Sequence, residues 1–429
     1  MSLEFVSVTR VCRISAVESK QTHTHTSSKE RRRSSMILAG IDIGKDSHFF
    51  SLVRKEDGEV LAQPRKFTNT SEGFKTLTDS FIPYDKESIL IGMEDTGHYH
   101  FALLRYLLSR KFNVALINPT ATDFTRKANG SISKNDRLDT LTICDVLSSN
   151  KPKKPYRISK FSSFDLYEQR GLTRHHHNLK EEINVYTNRL QKCIDIVFPE
   201  YNSLFPSKYG RVYISVLKTY GSAANIAKAD IRSLRKCFEY KARGKRISLT
   251  AEKLKEAAKA SIGIDSACEV IQIRHLIEQI ELLNKQIKEI DKKIEEYSLA
   301  NDSPILSIPG ISHFSGTSIL AELTDINNYD KAAQIIKRAG VAPLVYESSK
   351  YQAKHTAITK SGSKYLRKTL YQIILPVIRY NPVFQKYYDL KISQGKSHRC
   401  ACGHCVRKLL RIIFHLLKTN QKFDPALLR

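Results

Sequence analysis

Residues 37–48 read ILAGIDIGKDSH, whose apolar part, 37–43, has one carboxylate, Asp42, set inside it. A run of this length and composition reads as a buried strand. A carboxylate in or beside a buried strand is costly unless it is paired or bound to metal. A second such run, ILIGMEDTGHYH at residues 89–100, ends its apolar part on Glu94. Two more acids, Asp136 and Asp139, stand three apart in SKNDRLDT (residues 133–140), at the start of an expected helix, and so share one face of it. Taken singly, Asp136 could cap that helix, Asp139 could pair with Arg137 or Lys134, and Glu94 could close a strand. Taken together, four carboxylates from three elements are the hard oxygen donors that divalent cations need. They occur in a chain of formal net charge +27. That combination points to divalent cations held near phosphates, and so to cutting or joining of nucleic acid.

Outward from the first run, residues 37–43, 48–54 and 59–67 read as three strands, with Glu56-Asp57-Gly58 as the turn before the third. A helix follows over 71–81, with Thr70 or Ser71 as N-cap, then a strand over 88–94, a helix over 97–111, a strand over 113–117, and helices to 149. Three meandering strands followed by alternating helices and strands is the order of a ribonuclease H-like (RuvC-like) α/β domain. In that fold the acids of the first and fourth strands lie next to each other.

The 429-residue chain suggests two to three domains. No apolar run of eighteen residues occurs, so no membrane span is expected. Eight scattered Cys and no secretory leader fit a reducing cytosol. Residues 331–429 hold 20 Lys/Arg against Glu347, Asp389 and Asp424, an excess of 17 positive charges. Such a field attracts a polyanion, with nucleic acid foremost and an anionic membrane second. Residues 1–35, rich in Ser, Thr, His and Arg, read as a disordered basic leader or an artefact of start-site choice, since Met36 directly precedes the first strand.

Residues 150–160 read as a linker and 163–198 as a helix, while 201–265 are mixed and basic. From Ile273, the residues Leu276, Ile280, Leu283, Ile287, Ile290, Ile294 and Tyr297 alternate spacings of three and four. That is a coiled-coil heptad, packing either within the chain against 163–198 or between chains. SPILSIPGISHFSGTSILAEL (residues 303–323) reads as helix, turn, helix, a helix-hairpin-helix-like element in which Gly310 and a helix N-terminus face a phosphate. Lys350, Lys354, His355, Lys360, Lys364, Arg367 and Lys368, around the Gly362 turn, suit phosphate contact. HRCACGHC (residues 398–405) is too tightly spaced for a zinc site and reads as the first turns of an amphipathic helix. His175, His176 and His177 read as solvated or RNA-facing.

The pieces GIDIGKDSH, GMEDTGHYH, INPT, SKNDRLDT, FPEYNSLF, LSIPGIS and RAGVAPLVYESSKYQAKHTAITKSGSKYLRKTLY resemble the DEDD-type insertion-sequence transposases, the IS one-ten family, which are similar to the Piv DNA invertase. The resemblance spans residues 36–418. It implies a RuvC-like domain whose Mg²⁺-binding acids fall on Asp42, Glu94, Asp136 and Asp139. It also implies a mainly α C-terminal transposase domain with a nucleophilic serine. In Tyr346-Glu347-Ser348-Ser349 the nucleophile falls on Ser348, and Ser349, standing where the family has Gly, is the alternative. Further implications are donor and target DNA, a structured noncoding guide RNA, and a homodimer or homotetramer with composite sites. The expected organisation is therefore a leader (1–35), a RuvC-like acidic catalytic domain (36–150), a linker and coiled-coil assembly region (151–300) and a basic C-terminal transposase domain (301–429). The expected location is cytoplasmic, in a prokaryote, on nucleoid DNA. Two other functions fit the same residues: a Holliday-junction-type metal nuclease using water, and a non-enzymatic nucleic-acid-binding regulator.

Overall fold

The computed structural model describes residues 35–95, 97–128, 130, 136–149, 158–160, 164–239, 248–344, 347–348, 351–352 and 357–427. The chain divides into two compact units, Met1–Ile158 and Ser159–Arg429. The expected leader, except Ser35, and most of the expected linker lie outside the described residues.

The first unit is built on a mixed sheet. Strands β1 (Ile37–Ile43), β2 (Ser47–Arg54) and β3 (Val60–Thr68) form an antiparallel meander. Strands β4 (Ile89–Glu94) and β5 (Asn113–Ile117) add in parallel on the other side of β1, giving the order β3-β2-β1-β4-β5. The turn at Gly58 works because that residue takes φ 78°, which costs glycine little. Helix α1 (Ser71–Asp79) starts where Thr70 Oγ1 accepts the Gly73 N–H at 3.2 Å. Helix α2 (Phe101–Ser109) is shorter than the sequence suggests. Gly97 adopts φ 56°, and the chain completes a turn before the helix begins. Helices α3 (Pro119–Ala128) and α4 (Asp136–Ser148) follow β5.

Alternation puts Leu38, Gly40 and Asp42 on one face of β1, and the register puts Leu90, Gly92 and Glu94 on the same face of β4. Helix α4 lies on this face. Its Cys144 Sγ donates to the Leu38 carbonyl at 3.6 Å, and a Cβ built on Gly40 would stand 2.1 Å from the Thr140 carbonyl oxygen. A Cβ on Gly92 would stand 2.7 Å from Leu147 Cδ1. The two glycines therefore let α4 sit close to the sheet. Because Cys144 lies beside Leu38 and Thr140 beside Gly40, α4 runs antiparallel to β1. Its first turn points toward the Asp42 end of the strand.

The second unit is largely helical. The 34-residue helix α5 (Phe164–Val197) packs against the 35-residue helix covering Ala267–Asn301. Leu190, Ile194 and Val197 share a core with Ile273 and Ile277, while Leu179 shares one with Leu283, Ile287, Ile290 and Ile294. The pairing is thus antiparallel and within the chain. The seam departs from the heptad at Ile277, which is 1% exposed, while Leu276 and Ile280 are only partly buried. Among the described residues, five shorter helices between 201 and 259 cap one end of this pair.

Beyond it, the expected helix-hairpin-helix is corrected. Its first member is a single 3₁₀ turn, Pro304–Ser307, whose Ile305 is buried in the core, and only the second, His313–Leu323, is an α-helix. Gly310, at φ 98°, packs on the helix Lys364–Tyr380, where a Cβ would stand 2.7 Å from the Val377 nitrogen. Cys402 and Cys405 are buried in the core on the helix His398–Thr419, as the amphipathic reading expects.

His176 and His177 overturn the expectation of solvated or RNA-facing rings, being 7% and 2% exposed. His176 Nε2 lies 3.2 Å from Asp291 Oδ1, and His177 Nε2 lies 3.0 Å from Thr369 Oγ1, which is 3.0 Å from Ser318 Oγ. Beside them Glu322, wholly buried, takes two hydrogen bonds from Arg174, at 2.6 and 3.1 Å. Burial alone would raise the Glu322 carboxyl, but the guanidinium holds it below the usual range.

Burial pulls both imidazoles down to about 4. A base held below its unfolded value of about 6.5 binds fewer protons folded than unfolded between those two values. Stability is therefore expected to fall as pH drops from about 6.5 to about 4. Thermal unfolding across that range checks it, and His177→Gln should flatten the profile.

Candidate active site

In the parallel pairing of β1 and β4, Ile41 lies opposite Met93. The next residue of each strand, Asp42 and Glu94, therefore emerges side by side at the carboxyl ends. In open α/β sheets, sites form outside those ends. Both residues are half-buried. β4 ends at Glu94, which pairs with Ile117 of β5. Helix α4 begins at Asp136 and carries Asp139 one turn on. Asp139 is only 5% exposed.

The helix between them, α3, contributes two groups that the sequence reading does not pick out. Thr122 Oγ1 donates to Glu94 Oε1, and Arg126 Nε donates to Asp139 Oδ1 at 3.1 Å. Thr122 and Arg126 are four residues apart and so project from one face of α3. The signal available in the sequence was that spacing, directly after INPT.

The side chain of Asp136 lies outside the described ones. Among the described residues, no three His, Cys, Asp or Glu side chains close into a metal cage. The donor set nonetheless suits a hard cation. Asp42 and Glu94 supply carboxylate oxygens side by side, and the nearly buried Asp139 is already neutralised by a cationic group. Carboxylates set side by side are the hard oxygen donors that a divalent cation takes, while the guanidinium on Asp139 opposes it.

Ser348 belongs to the second unit. Residues 338–344 and 357–363 run side by side, with Leu344 N donating to Ala357 O at 2.8 Å, Thr359 N to Ala342 O at 2.9 Å and Ser363 N to Arg338 O at 2.8 Å. They form the base of an arm. Further out, strands β6 (Glu347–Ser348) and β7 (Tyr351–Gln352) pair antiparallel, with Ser348 opposite Tyr351. Ser348 thus ends its strand. Ser349, Lys350, Lys354 and His355 lie outside the described residues.

The remaining basic candidates are partly committed elsewhere. Arg367 donates to the Ala339 and Lys360 carbonyls at 3.2 Å each, and Lys368 pairs with Glu181 at 2.9 Å. Gly362 is needed for closure of the arm's base, since a Cβ there would stand 2.4 Å from the Arg338 oxygen. Lys360 sits at φ 50°, and Lys364 lies over the Tyr365 ring.

A unit with paired strand-end carboxylates, joined in one basic chain to a helical unit bearing a serine arm, fits the chemistry of phosphoryl transfer on DNA. Known proteins agree. Residues 39–199 match the DEDD transposase model of IS110 type, and residues 302–389 match the Transposase IS116/IS110/IS902 family. The chain belongs to the IS110 family of transposases, enzymes of phosphoryl transfer on DNA. It is 21% identical to the insertion element IS116 uncharacterized 44.8 kDa protein of Streptomyces clavuligerus, over 92% of this chain and 98% of that protein. It is 22% identical to the pilin gene-inverting protein of Moraxella bovis, over 92% of this chain and 99% of that protein. It is 23% identical to the mini-circle putative transposase for IS117 of Streptomyces coelicolor, over 90% of this chain and 95% of that protein. Among the described residues, no helix is long and apolar enough to cross a membrane.

Proposed function

We propose that this transposase is a DNA recombinase whose acid set in the first unit and Ser348 in the second act on one phosphodiester. The observation that carries the reading is the placement of Asp42 and Glu94 side by side at parallel strand ends, with α4 brought close by Gly40 and Gly92. On this reading residues 36–150 are a ribonuclease H-like (RuvC-like) catalytic domain, supported by the strand order. Residues 151–300 form a helical assembly region and 301–429 the basic transposase domain. Asp42, Glu94, Asp136 and Asp139 would hold Mg²⁺. A divalent cation, when bound there, stabilises charge on the attacking and leaving oxygens.

Ser348 Oγ attacks phosphorus. A new Oγ–P bond forms, the bond from phosphorus to a deoxyribose oxygen breaks, the hydroxyl proton passes to a base, and the leaving oxygen takes up a proton. Attack by the hydroxyl of another strand reverses these changes and joins the strands. The phosphodiester energy is kept in the link, so no nucleotide cofactor is consumed. The naming of two relatives for gene inversion supports strand exchange over simple cleavage.

The resemblance and the +27 charge support the finer parts of the reading. The partners are donor and target DNA and a structured noncoding guide RNA encoded beside the gene. The acting form is a homodimer or homotetramer working in the cytoplasm on nucleoid DNA. Lys350, Lys354, His355, Lys360 and Lys364 are the phosphate contacts.

The test is strand exchange on supercoiled DNA carrying the element ends, with the flanking noncoding transcript and Mg²⁺. Asp42→Asn should fold as the parent does and give neither cleavage nor joining. Undiminished exchange by Asp42→Asn would contradict the acid-site assignment.

A further inference from the structure

Helix α3 braces two members of the acid set by unlike means. Thr122 offers Glu94 a neutral hydroxyl, whereas Arg126 offers Asp139 a permanent cation. Asp139 is 5% exposed and the Arg126 side chain 17% exposed, so this pair is shielded from water. A divalent ion held by the same carboxylate would meet the guanidinium charge at close range, where screening is weak. Arg126 also has a second place to go. Its Nη1 lies 3.7 Å from Oδ1 of Asp123, whose side chain is 47% exposed. The other Asp123 oxygen is held by Lys127 at 2.8 Å, and that bond first of all keeps the Asp123 carboxyl below its usual range.

We propose that Arg126 is an electrostatic latch on the acid set. It holds Asp139 while the site is metal-free and lowers the affinity for a divalent cation. It swings toward Asp123 and a backbone phosphate of the incoming DNA when cation and DNA arrive together. Arg126 is thus a positioning residue that couples metal loading to DNA. The consequence is an enzyme that stays poorly metallated, and so quiescent, away from its substrate. The inference rests on the acid-site reading above.

The test is Mn²⁺ binding to the full-length protein, read from the electron paramagnetic resonance of free Mn²⁺, with and without a short DNA duplex. In the parent protein the duplex should tighten Mn²⁺ binding. Arg126→Gln should tighten binding without DNA by about tenfold, the scale on which outer-shell partners act on metal affinity, and should lose most of the gain from DNA. Arg126→Lys keeps the charge and should stay near the parent value. Asp123→Asn, at an exposed position, removes the parking place and should weaken binding. Unchanged or weaker binding by Arg126→Gln would overturn the latch, as would equal tightening by Arg126→Lys or no effect of Asp123→Asn. Asp139→Asn separates the two ideas. If it binds Mn²⁺ as the parent does, the acid-site reading itself fails. If it loses binding while Arg126→Gln is neutral, only the latch fails.

Discussion

Ser348→Ala is expected to abolish strand exchange, by about 10³-fold or more, the scale on which removal of a covalent nucleophile acts. The protein should still fold and hold nucleic acid. Ser348 ends a two-residue strand opposite Tyr351, and extended backbone of that kind accepts alanine without strain. The loss is therefore chemical. A hydroxyl at this position is the one group in the second unit assigned to carry the phosphoryl link, and water attack at the acid set cannot replace it in joining. Ser349→Ala should retain exchange. Full exchange by Ser348→Ala together with loss in Ser349→Ala would move the nucleophile by one residue. Full exchange by both would remove the covalent step.

Gly40→Ala is expected to be strongly destabilising. The added Cβ would stand 2.1 Å from the Thr140 carbonyl oxygen and 2.8 Å from Cys144 Sγ. The first of these is backbone and cannot rotate away. Cys144 is also fixed, through its bond to the Leu38 carbonyl, and burial pushes its thiol up to about 12, so it stays a neutral donor. Helix α4 must therefore lift from the sheet. Overpacking in a close-packed core costs about 1–3 kcal/mol and more where backbone must move, and this case falls at the upper end. Lifting α4 also withdraws its first turn from the Asp42 end of β1. Thermal unfolding and Mg²⁺-dependent cleavage should both suffer. Gly58→Ala is the contrast, since no atom lies within 4 Å of a Cβ there and only the φ of 78° is strained. Equal stability of Gly40→Ala and the parent would refute the close packing of α4 on β1.

Much of the first unit was legible because its strands are short, apolar and punctuated, and strand pattern alone orders them. The positions of Asp42 and Glu94 follow from the parallel register of the strands that carry them. The two glycines were legible in principle. Gly40 and Gly92 each precede an acid by two residues, on the same strand face, where a small residue marks close approach of another element. The roles of Thr122 and Arg126 were not legible. They depend on how α3 turns after β5, and both residue types are ordinary on a solvated helix face.

In the second unit the heptad marked a long helix, and of the two partners it allowed the structure shows the one within the chain, α5. The buried pair of histidines and Glu322 escaped for a related reason. His-rich and acidic positions on helices normally face water, and only the packing of α5 against the helix His313–Leu323 shows that these do not. The helix-hairpin-helix expectation failed because Ile305 and Ile308 are drawn into the core, which leaves room for one 3₁₀ turn before the Pro-Gly turn.

The most direct measurement is the mapping of a protein–DNA link. The full-length protein is incubated with supercoiled DNA carrying the element ends, the flanking noncoding transcript and Mg²⁺, then denatured and digested with protease and nuclease. Mass spectrometry should find a nucleotide phosphate on the peptide containing Ser348, absent from Ser348→Ala and from Asp42→Asn. DNA that is cut and rejoined with no such adduct at Ser348 or Ser349 would contradict the account.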